Sequence, residues 1–156
     1  TRDGGNHLKP RRRKFSGCSP VERAIIAQQW EDTAVRARIH ALIGQDSDQF
    51  VSAAGRVLIV VLGALLIEQI DPDMVEVRIV RGACNALIEQ AGEPRIDPQR
   101  RASIRAGLEA AGQLLAVLPR KARVDAAVDL RYKLDRGDVW ASDYQALLGL
   151  VEGIAA

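Results

Sequence analysis

At 156 residues with 47% apolar side chains, the chain is expected to form one domain with a core of its own. Aromatics are only 4%, so that core must come from Leu, Ile, Val and Ala, which suits helix-on-helix packing better than a β-sandwich. Cys18 and Cys84 are too far apart in sequence to suggest a disulfide framework or a metal site, and a reducing, cytoplasmic setting is the expectation.

The net charge of +2 conceals an asymmetry. Residues 1–18 hold Arg2, Lys9, Arg11, Arg12, Arg13 and Lys14 against Asp3 alone, a net +5. The other 16 basic and 19 acidic residues leave a body of −3. The basic segment also carries Gly4, Gly5, Pro10 and Gly17, with only Leu8 and Phe15 as large apolar residues. Such a segment cannot bury enough surface to offset its ordering entropy, so residues 1–18 read as a disordered basic arm and 19–156 as a single helical domain.

Helix 1 is expected from Ser19 to about Ile43. Ser19 suits the N-cap, Pro20 the first turn, and Glu22 can close a capping box; Gly44 suits the residue after the helix end. Val35, Ile39, Leu42 and Ile43 share one face of its second half. Helix 2 is expected over about 47–70, after the cap Asp46. Its centre, Val57 to Ile67, is eleven residues without charge or polar side chain. That run is short for a bilayer, which needs about 20 apolar residues, and reads as the buried central helix of a bundle; no membrane span is expected.

Asp71-Pro72 and Asp97-Pro98 each look like a cap followed by proline in the first turn, opening helices 3 and 4. Helix 3 carries the stripe Val77, Val80, Cys84, Leu87, Ile88 and Ala91, ended by Gly92 and Pro94. Helix 4 carries Ile104, Leu108, Ala111, Leu115 and Leu118. Pro119 begins helix 5, with Val124, Ala127, Val128 and Leu134 inward, and Gly137 closes it. A sixth helix is expected from Ser142, with Tyr144, Leu147, Leu148, Val151 and Ile154 on one face and Trp140 folded back before it.

The fold class is therefore all-α, a compact bundle of five or six helices around the central apolar helix. Glycines inside the expected helices, among them Gly63, Gly82, Gly107 and Gly112, cost about 1 kcal/mol each relative to Ala, and close approach of neighbouring backbones is the expected compensation. Breaks at such positions, Gly112 above all, are the alternative. Leu-Ile-Glu-Gln occurs at 66–69 and at 87–90, but unequal offsets to the next Asp-Pro argue against a true repeat.

Chemistry is sparse. No phosphate-binding loop, dinucleotide fingerprint or nucleophile elbow is present, and His7 and His40 have no ligand-spaced neighbours, so no catalytic residue, metal or cofactor is expected. Lys9, Arg11, Arg12, Arg13 and Lys14 form the strongest functional feature. Five tethered cations can track a phosphate backbone, with a salt slope of about −4, and Phe15 could stack on a base. Arg100, Arg101 and Arg105 are the candidate contacts on the body.

The leading expectation is a non-enzymatic accessory or regulatory protein whose arm contacts nucleic acid and whose body dimerises or docks a partner. The alternative is a protein-interaction module (an inhibitor, chaperone or secretion-linked adaptor) using a helix face, and an enzyme ranks third. An apolar face exposed on the body would favour a protein partner, whereas a basic face joining the arm to helix 4 would favour nucleic acid.

Overall fold

The computed structural model describes residues 18–135, and these form five helices without a strand. The basic arm, Gly137, Trp140 and the expected sixth helix lie outside the described residues. The helices are α1 (Pro20–Ile43), α2 (Ser47–Ile67), α3 (Val75–Gln90), α4 (Pro98–Val117) and α5 (Arg120–Asp135).

α2 packs against each of the other four helices, and α3 and α4 form a closely packed antiparallel pair. Phe50, Leu58, Leu62 and Leu65 of α2 are fully enclosed, together with Val80 and Leu87 of α3 and Ile104 and Leu114 of α4. The helix is 21 residues long with a mean hydropathy of 2.4 over its most apolar stretch, enough by length and composition to cross a bilayer. In this fold 67% of that stretch is buried against protein, as in the core helix of a bundle.

Local chemistry explains the helix ends. Ser19 Oγ accepts from the Glu22 amide at 3.1 Å and Glu22 Oε2 accepts from the Ser19 amide at 3.2 Å, closing the capping box. Asp46 and Asp97 accept from the amides of Gln49 and Arg100. Asp71 does not cap a helix. Its Oδ1 accepts from the Asp73 amide at 2.9 Å, a local turn that delays α3 to Val75. α2 stops at Ile67 rather than about residue 70, because Gln69 turns left-handed at φ 50°. The Ile70 amide then bonds Leu65 O and the Gln69 amide bonds Leu66 O, a Schellman closure. Gly92, at φ 83°, follows α3 in a tight turn in which the Glu93 amide bonds Gln90 O, whereas Gly44 is extended.

The glycines divide. A Cβ at Gly107 would overlap that of Ala83, so Gly107 lets α3 and α4 approach closely there, and one at Gly63 would sit 3.2 Å from Ala126 Cβ. Gly82 and Gly112 face open space, and α4 runs unbroken past Gly112. The two Leu-Ile-Glu-Gln segments also part company. Gln69 supplies the left-handed turn, while Gln90 is fully buried. The Gln90 amide donates to Ser47 Oγ (3.0 Å) and Arg95 O (2.8 Å), and Gln90 Oε1 accepts from the Asp97 amide (3.2 Å).

α1 packs through its small residues. Its buried residues are Thr33, Ala37 and Ala41, with Ile26, Trp30 and Ala34 partly covered. Small side chains let α1 lie close to the bundle. The face bearing Val35, Ile39, Leu42 and Ile43 therefore points away from it.

Candidate interaction surfaces

On α1, Val21, Ile25, Val35, Ile39, Leu42 and Ile43 are each between 49% and 76% exposed. Val21, Ile25, Gln28, Asp32, Val35, Ile39 and Leu42 follow one another at alternating intervals of four and three, the spacing of a helix–helix seam. The two polar members are joined within the helix, where Gln28 Nε2 donates to Asp32 Oδ1 at 3.1 Å. Exposed Glu22, Glu31 and Asp32 lie in the first half and middle of α1, exposed Arg36 and Arg38 in the second half. The seam is apolar at both ends, and its flanks change sign along the helix.

The expected cationic trio on α4 is not one surface. Arg101 donates from Nη1 to His40 O (2.9 Å) and Ala41 O (3.2 Å) and from Nη2 to Gly44 O, and its guanidinium lies 5.5 Å from the Phe50 ring centroid. It closes the C-terminus of α1, where the last carbonyls have no partners within the helix. Arg100 pairs with Glu89 at 3.7 Å across α3–α4, and Arg105 with Glu109 at 3.8 Å. Lys9, Arg11, Arg12, Arg13 and Lys14 lie outside the described residues. On α5, Lys133–Asp129 (3.2 Å) and Arg131–Asp135 (3.5 Å) pair along the helix, as the interleaved signs suggest.

A cleft of about 890 Å³ lies between α2 and α5, with Ile59, Leu66, Ile67, Ala126 and Leu130 along it. Four of its charges already pair with each other, Arg23 with Asp125 at 2.5 Å and Lys133 with Asp129. A smaller cavity, about 60 Å³, lies between α1, α2 and α5 and brings together Trp30, Thr33, Arg56 and Arg131. Sequence inspection passes over Arg56 as a mere flank of the apolar run. Its position beside Trp30 depends on packing between three helices, which no local pattern encodes.

Cys84 is fully buried among α3 and its neighbours, and burial pushes its thiol up to about 12, far from a nucleophile's range. Among the described residues no group of His, Cys, Asp and Glu is placed to hold a metal ion. Comparison with protein-family models, with curated proteins and with solved structures gives no match.

Proposed function

We propose that this is a non-enzymatic interaction module that pairs with a second copy of itself through α1 and presents the basic arm of each copy to nucleic acid. The exposed four–three apolar seam of α1 carries this reading, because a face of that kind on a helix already packed on its other side fits a partner helix. The flanking charges favour a second copy running antiparallel. Glu31 and Asp32 of one copy then oppose Arg38 and Arg36 of the other, in a self-complementary two-fold contact. A parallel pair would instead set Asp32 against Asp32.

The arm joins α1 directly at its N-cap, Ser19. In an antiparallel pair the two arms leave from opposite ends of the paired helices. Six cations against one acid in each arm support a phosphate partner. Fluorescence anisotropy with a labelled duplex tests the whole reading. The intact protein is expected to bind, with affinity falling steeply with salt. A version starting at Ser19 should lose binding, and Ile39→Glu should weaken it and flatten the salt slope, because only one arm then engages. Undiminished binding by the Ser19 version would contradict the arm's role.

A further inference from the structure

We propose that the cleft around Trp30 binds a small oxyanion group, a phosphate or a carboxylate, with Arg56 as its counter-charge. Among the described residues, three buried side-chain polar atoms have no hydrogen-bond partner: Trp30 Nε1, Arg56 Nε and Arg123 Nε. All three are N–H donors, and two belong to cations. Trp30 shares a space with each of the other two. Arg56 and Trp30 line the 60 Å³ cavity, and Trp30 and Arg123 line a second space of about 20 Å³ on α5's first turns. Trp30 Nε1 and Arg56 Nε, two unmet donors on one cavity, are the complement of an acceptor with negative charge.

Arg56 is the unusual member. After Asp48 it is the sole charged residue of α2, the helix that otherwise supplies the core. Among the described residues no carboxylate lies within 4 Å of Arg56. Arg56 is partly buried, and its Nε is closed off from water without a hydrogen-bond partner, whereas the structural Arg101 places its guanidinium on three main-chain carbonyls. Water could satisfy the N–H groups but not the charge. The cavity exceeds the roughly 10–15 Å³ that one water needs, leaving room for one oxyanion group. Arg131, held by Asp135, adds a second cation to the lining. Glu31 lines only the smaller space, which places an anion on the Arg56 side. This site does not depend on pairing through α1.

Calorimetric titration of the full chain with inorganic phosphate, and separately with acetate, tests the proposal when ionic strength is held constant with chloride. Saturable heat is expected with at least one anion. Response to phosphate alone assigns a phosphate site, and response to acetate as well assigns a site open to carboxylates. Arg56→Met should abolish the heat, and Arg105→Gln should leave it intact. Phosphate or acetate, whichever binds, should also raise the Tm of the parent and not that of Arg56→Met. Arg56→Met alone should be at least as stable as the parent, since it removes an unmatched charge. If that variant fails to fold, Arg56→Lys serves instead and should bind about tenfold more weakly, keeping the charge but not the fork. Absence of saturable heat with both anions, or equal binding by the Arg56 variant, would overturn the proposal.

Discussion

Arg101 on α4 donates to the main-chain carbonyl of His40 on α1 at 2.9 Å, tying the end of one helix to the side of another 61 residues away. With Ala41 O and Gly44 O it gives three helix-end carbonyls a charged donor. Arg101→Ala should therefore cost about 2 kcal/mol in urea unfolding, because hydrogen bonds to charged groups are worth about 1.5–3 kcal/mol. Arg100→Ala and Arg105→Ala remove only looser surface pairs and should each cost less than about 1 kcal/mol. Equal losses for all three would refute this division of labour.

Backbone geometry gives a second set, in which signs differ by position. Gly107→Ala places a methyl against Ala83 and should destabilise, whereas Gly82→Ala and Gly112→Ala meet open space and should stabilise by up to about 1 kcal/mol each. Gln69→Gly relieves a left-handed non-glycine residue and should stabilise by about 0.5–1 kcal/mol. Thermal unfolding of the four variants reads all four signs.

Cys84 links stability to alkaline pH. The unfolded chain releases a thiol proton near 9.0, while the folded chain holds it to about 12. The unfolded state thus binds fewer protons between these values. The contribution is fully present below pH 9 and is lost as pH rises towards 12. Cys84→Ala should lower stability at neutral pH through a small cavity, yet lose less stability than the parent between pH 9 and 12. At pH 8 a thiol reagent should modify half-exposed Cys18 quickly and Cys84 only on unfolding.

Much of the fold was legible because helix starts are written locally. Ser19-Pro20 with Glu22, Asp46, and Asp97-Pro98 all cap as their residue types suggest, and the stripes on α3 and α4 point inward except at Ala91, which is exposed past the end of α3. Asp71-Pro72 misleads because an aspartate can bond the backbone two residues on as readily as cap a helix. The apolar face of α1 is legible only in part. Periodicity shows that Val35, Ile39 and Leu42 share a side, but not that the bundle prefers the small-residue side at Ala37 and Ala41. The latch of Gln90 on Ser47, the Arg101 clamp and the Arg56–Trp30 cleft join distant segments, and no spacing in the sequence marks them.

The α1 face is tested most directly by sedimentation equilibrium over a range of protein concentrations. The intact chain should behave as a reversible dimer, and Ile39→Glu or Ile25→Glu should leave a monomer of unchanged helix content. Raising salt should weaken pairing, since Glu31 and Asp32 oppose Arg36 and Arg38 across the contact. A monomer at every concentration, or a dimer indifferent to both substitutions, would contradict pairing through α1.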